Sequence, residues 1–185
     1  MRRTILFTIM SVLCVCCGAN AQTTNSDPLL GKRFGIIGDS YVRNHRAPVE
    51  QTWHYKFAKK HGMRYYNYGR NGSSIAYSSP KWGEAMYIRY KEMADSLDYV
   101  VVVGGHNDTY KLDSIGGIDV FKKRLGILCE GLIDKYPTAK IFFFTRWNTK
   151  DFVGSDAEKV VDAMKRCVEV IISQSLTLPV MVEYT

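Results

Sequence analysis

The chain has 185 residues, 46% hydrophobic and 23% charged, an ordinary folded composition that excludes a disordered or collagen-like protein. One domain is the expectation at this length, and a chain of this size hides roughly two thirds of its surface on folding, so its core needs no staple. The formal net charge of +7 is scattered rather than gathered in a stripe alternating with aromatics, which excludes nucleic acid as an expected partner.

Met1 to Thr4 is a positively charged start, Ile5 to Cys17 an apolar run of thirteen, and Ala19-Asn20-Ala21 a small-x-small cleavage site. Residues 1–21 therefore read as a secretory signal peptide, and an apolar run this short does not span a bilayer. A transmembrane anchor is one alternative. A lipoprotein signal ending at Cys16 or Cys17 is another, although Leu13-Cys14-Val15 is a poor match to the leucine-small-small pattern that precedes a lipid-bearing cysteine. The expected location is periplasmic or extracellular. Loss of Arg2 and Arg3 lowers the net charge to +5 and leaves Cys129 and Cys167 as the remaining cysteines. Two buried thiols are the plainer reading of that pair, with a disulfide chemically open to an exported protein.

After a polar lead-in at 22–31, apolar runs alternate with segments of helical period. Lys32 to Gly38 reads as a strand, and Val49 to His61 as a helix with Trp53 and Phe57 on one face. Arg64 to Tyr68 is a second strand. Met86, Tyr90, Met93 and Leu97 recur at helical spacing. Tyr99 to Gly105 holds four consecutive valines without polar alternation, as suits a strand covered on both faces. Phe121, Leu125, Leu128 and Leu132 mark a helix ending before Pro137, and Lys140 to Thr145 a strand with three phenylalanines. Val160, Met164, Val168 and Ile171 mark the last helix, and Leu178 to Tyr184 the fifth strand. Such alternation predicts an α/β fold, a parallel sheet of five strands with helices on both faces and strand order 2-1-3-4-5. Ligands of such sheets bind beyond the carboxyl ends of the strands.

Three loops should converge there. The first strand runs into Gly38-Asp39-Ser40, the second into Arg70-Asn71-Gly72-Ser73, and the third into Gly105-His106-Asn107-Asp108. Ser40 offers a hydroxyl at a strand-to-helix turn, Gly72 a backbone N–H that nothing shields, and Asn107 an amide donor. Donors aimed at one developing oxyanion are what ester hydrolysis requires, each worth roughly 3 kcal/mol of barrier. Taken singly, Gly72 is an ordinary turn glycine, Asn107 a loop residue, and Asp39 a holder of its own turn. The weight rests on three motifs in order, each directly after a strand of one sheet.

With these residues the chain resembles the SGNH hydrolases, also called GDSL esterases and lipases, over about Phe34 to Tyr184. Gly38-Asp39-Ser40 matches the block that carries the family's nucleophile, Gly72 the glycine of the second block, and Asn107 the asparagine of the third. The resemblance implies a flavodoxin-like three-layer α/β/α sandwich with a five-stranded parallel sheet. It also implies ester hydrolysis through Ser40, with the serine N–H, the Gly72 N–H and the Asn107 amide as oxyanion hole. Small-molecule esters or acyl groups on carbohydrate are the implied substrates, and no metal or organic cofactor is implied. Thr145-Arg146-Trp147 follows the fourth strand, where Arg146 and Trp147 either flank a sugar or acidic substrate or pack on the sheet edge.

One block has no match. The family pattern places Asp-x-x-His after the fifth strand, where the histidine takes the serine's proton. Here no histidine follows His106, and the last aspartate is Asp162, on a predicted helix. Residues 32–185 therefore read as a hydrolase-like domain shortened at its C-terminus, by truncation, frameshift or a misplaced stop. His45, His54, His61 and His106 read as surface or substrate-contacting residues. A serine without a base is a weak nucleophile, so a non-catalytic module that binds carbohydrate or ester is the second reading. A nucleotide- or flavin-binding protein is a third, and Gly35 to Asp39 lacks the glycine spacing it needs. Oligomeric state is not legible.

Overall fold

The computed structural model describes residues 27–146, 153–174 and 180–182; the expected signal peptide and Trp147 lie outside them. Strands β1 (Arg33–Gly38), β2 (Arg64–Gly69), β3 (Tyr99–Val103), β4 (Lys140–Phe144) and β5 (Val180–Val182) alternate with helices. The helices are α1 (Ser40–Arg43), α2 (Trp53–Lys60), α3 (Met86–Arg89), α4 (His106–Thr109), α5 (Leu112–Ile115), α6 (Ile118–Lys135) and α7 (Asp156–Gln174). Every strand pair is parallel, and β2-β1-β3-β4 form the body of the sheet.

The expectation of five full strands is corrected. Beyond β4, the described pairing is that of Val180–Val182 with Phe142–Phe144. The sheet is thus four strands of five or six residues, with the described residues 180–182 paired at one margin.

Registry aligns the strand ends. Gly38 lies opposite Gly69 on one side and Val103 on the other, and Val103 lies opposite Phe144. The loops that follow these four residues therefore leave from one edge.

The two faces are filled unequally. On one, Ile37, Val100, Val102, Ile141 and Phe143 pack against the stripes Phe121-Leu125-Leu128-Leu132 of α6 and Val160-Met164-Val168 of α7. On the other, Phe34, Ile36 and Val101 meet Val42 of α1 and Ala58 of α2, and Phe142 and Phe144 stay partly open. Two expected helices are shorter than their stripes. Thr52 adopts extended backbone and caps α2 through its hydroxyl, so Val49–Gln51 is a separate 3-10 turn. Past α3 the chain tightens into a 3-10 turn at Tyr90–Glu92, yet Met86, Tyr90, Met93 and Leu97 all remain buried. No helix of the described residues is long and apolar enough to cross a membrane.

Candidate functional site

The first loop is a cap. Asp39 ends the turn out of β1 and accepts the Tyr41 N–H at 2.9 Å, which satisfies an orphan donor at the start of α1. Ser40 is the first residue of that helix and is half-buried. Asp39 itself is 1% exposed. Burial pushes its carboxyl up to about 6, the bond from Tyr41 opposes the shift, and the nearby Asp108 adds to it.

The second loop is a turn held from three sides. Ser73 N–H donates to the Arg70 carbonyl at 3.1 Å, and Gly72 inside that turn has φ +70. Only glycine fits there, because a Cβ would also run into the indole of Trp82. Asp108, fully buried, accepts the N–H groups of Ile75 at 2.9 Å and Ala76 at 2.8 Å. Burial raises its carboxyl to about 6, against the pull of those two bonds. Lys111 Nζ donates to the Gly72 carbonyl at 3.0 Å and to Ser74 Oγ at 3.2 Å. The buried Arg89 guanidinium donates to the carbonyls of Tyr68 (2.6 Å) and Gly38 (2.8 Å) and to Ser73 Oγ (3.0 Å), joining the ends of β1 and β2 to the loop. Burial lowers its pKa to about 10.

Asn107 joins all three loops. Its Nδ2 donates to the Ser73 carbonyl at 2.8 Å and lies 3.4 Å from Asp39 Oδ2. The third motif thereby touches the residue after Gly72 and the residue before Ser40. The shorter bond is firm, and the longer is at the limit of a hydrogen bond.

Beside this junction lies a cavity of about 320 Å³ lined by Asp39, Tyr41, His54, His106, Thr145 and Arg146 among others. Its walls come from the neighbours of Ser40 and Asn107; Ser40, Gly72 and Asn107 themselves do not line it. Arg146 is 6% exposed there, with its guanidinium carbon 5.9 Å from the Tyr110 ring.

Each of the four histidines is held by a neighbour, and the buried His54 Nε2 has no hydrogen-bond partner among the described residues. His54 Nδ1 lies 2.7 Å from the Tyr65 hydroxyl and 3.1 Å from that of Thr52, with its ring stacked on Tyr65. Burial lowers its pKa to about 4. His106 sits edge-on to Tyr41 and Tyr110, and burial together with Arg146 disfavours its charged form. His45 Nε2 accepts from Arg46 at 3.1 Å, and His61 Nδ1 pairs with Asp27 at 2.6 Å.

Arg89, Lys111 and Trp82 are the contributors that the sequence motifs do not mark, and Asp108 closes the third motif without a role read for it there. Arg89 left a trace: it is a charge on the same stripe as Met86, Tyr90 and Met93, where only a partnered group is tolerated. Among the described residues no group of three or more His, Cys, Asp or Glu side chains is placed to hold a metal ion.

No family model matches the chain, and no curated protein does. Solved structures do. A protein from Lactobacillus plantarum aligns at TM-score 0.63 and 21% identity, over 83% of this chain and 78% of its own. A candidate GDSL-like lipase from Bacteroides ovatus aligns at TM-score 0.62 and 18% identity, over 83% and 84%. A family two carbohydrate esterase from Clostridium thermocellum, solved with cellohexaose, gives TM-score 0.65 and 15% identity over 84% of this chain and 54% of its own. At these identities the likeness is one of fold, and that fold is shared with GDSL-like lipases and carbohydrate esterases.

Proposed function

We propose that this chain is an exported protein of the serine ester hydrolase type. Ser40 acts as nucleophile, and its own N–H, the Gly72 N–H and the Asn107 amide form the oxyanion hole. The substrate is a small or carbohydrate-borne ester, with Arg146 and Trp147 on its binding side. The observation that supports this reading is the Asn107 amide joining the Ser73 carbonyl to Asp39. It ties the three motifs together where the strands end. The 3.4 Å contact to Asp39 is the weaker of the two, so a developing oxyanion competes for that hydrogen at little cost.

A second reading, a module that binds ester or carbohydrate without turning it over, is favoured by the histidines. His54 Nδ1 is taken up by Tyr65 and Thr52, and no histidine follows His106 in the sequence. Without a base and its orienting carboxylate, such a site retains roughly 10³–10⁴ over water from its oxyanion hole and binding alone. Hydrolysis of a simple acetyl ester by purified protein, free of host esterases, tests the assignment. The chain as it stands should turn over feebly, and Ser40→Ala should change that little. Appending an Asp-x-x-His segment after Thr185 should raise the rate by about 10²-fold or more, and Ser40→Ala should then abolish the gain. Fast turnover by the unextended chain that survives Ser40→Ala would sink the serine assignment. Fast turnover lost in His106→Ala would place the base inside these residues.

A further inference from the structure

On the filled face of the sheet, α6 and α7 bring the sulfurs of Cys129 and Cys167 to 3.4 Å of each other. Both are free thiols in the structure, Cys129 buried and Cys167 half-buried. A disulfide places its sulfurs at about 2.05 Å, so about 1.3 Å of approach, shared between two side chains, converts the contact into a bond. Each cysteine lies well inside its helix, facing the other across the packed interface.

We propose that Cys129 and Cys167 are a disulfide-forming pair that fastens α6 to α7 when the protein meets a disulfide oxidant such as oxidised glutathione. The order of events follows from exposure. Cys167 is the less buried of the two, and the hydrogen bond from the Cys129 thiol favours its thiolate, whereas the bond with Cys167 and burial raise Cys129. The Cys167 thiolate attacks the oxidant, forming a mixed disulfide and releasing one glutathione thiolate, which takes up a proton. Cys129 then gives up its proton and attacks the Cys167 sulfur, releasing the second glutathione. Two protein thiols are oxidised by two electrons, and one glutathione disulfide is reduced to two thiols.

The link closes a loop across 38 positions of sequence. It also reaches the wall behind the candidate site. A Cβ on Gly105, the residue that opens the Asn107 turn, would lie 2.9 Å from Met164 Sδ and 3.2 Å from Val160 of α7. Cys167 is one helical turn beyond Met164. Fastening α7 therefore holds the surface on which that turn rests.

Peptide mapping tests the pair. The full chain, purified without reductant and brought to equilibrium with oxidised glutathione, is digested with trypsin unreduced. Residues 125–135 should appear joined to residues 167–185, at two hydrogens less than the sum of the two peptides. The oxidised protein should melt about 5–10 °C above the same sample treated with dithiothreitol. Cys167→Ala, at the half-buried position, should lose both the linked peptide and the redox dependence of melting. The proposal fails if both peptides emerge as free thiols, if each carries its own glutathione, or if the linked form melts no higher than the reduced one.

Discussion

The two sides of the candidate site are built to different standards. On the donor side, loop 70–76 is held by four polar side chains: Asp108 on two N–H groups, Lys111 on the Gly72 carbonyl, Arg89 on Ser73 Oγ, and Asn107 on the Ser73 carbonyl. On the cavity side, His54 is tied into the scaffold and His106 is wedged between Tyr41 and Tyr110. The difference teaches that the shape of such a loop is a property of the folded backbone, fixed by the buried charges that anchor it. A general base is a single side chain aimed at a single oxygen, and nothing in the sheet requires it.

Removing the donor side's main anchor should have the largest effect. Asp108→Ala leaves the buried N–H groups of Ile75 and Ala76 without an acceptor. The expected loss is about 3 kcal/mol or more in urea unfolding. Hydrogen exchange at Ile75 and Ala76 should accelerate before the core amides do. A loss under about 1 kcal/mol would mean that the loop holds its own shape, and the contrast between the two sides would fall away.

Much of this was legible in the sequence, for a physical reason. β1, β3 and β4 are apolar because helices or neighbouring strands cover them, so their runs and ends coincide with the expected ones to within a residue or two. The three motifs follow strand ends, and parallel registry carries them to one edge. Less legible was what depends on partners distant in sequence. Asp108 sits 33 positions from Ile75, and Arg89 51 from Gly38, so no local pattern names the partner of either clamp. The stripe at 86–97 runs past the end of α3 because burial at helical spacing does not require a helix. It is buried throughout, and a 3-10 turn and extended backbone at Met93 satisfy the same spacing.

Gly72 sharpens the contrast from within the loop. Its φ of +70 costs any other residue roughly 1–2 kcal/mol, and the Trp82 indole adds a collision. Gly72→Ala should lose about 2–3 kcal/mol in thermal unfolding. Adding Trp82→Ala to that variant should recover the collision part and leave the backbone part. If the double variant is worse than the sum of the singles, Trp82 supports the turn more than it crowds it.

The smallest expected effect concerns the carboxylate where the two sides meet. Asp39 has a folded pKa of about 6 against its ordinary 3.8, with burial as the main cause. Between those values the folded protein keeps a proton that the unfolded chain has lost. The contribution of Asp39 to stability is therefore full below about pH 4 and is lost as pH rises through 6. His54 runs the other way: with its pKa lowered from 6.5 to about 4, its contribution is present above 6.5 and is lost as pH falls through 4. Asp108, also raised to about 6 by burial, slopes the same way as Asp39, and His54 opposes both across pH 4–6.5. Asp39→Asn keeps an acceptor for the Tyr41 N–H, since asparagine caps helices as well as aspartate does, and removes the titration. Its stability relative to the unmodified chain should rise by about 1–2 kcal/mol between pH 4.5 and pH 7.5, the full shift being discounted because Asp108 titrates alongside. Melting curves of both proteins at those two pH values decide the point. A difference independent of pH would mean that Asp39 is ionised throughout, and that the long contact from Asn107 is a charged bond strong enough to keep the amide from an oxyanion.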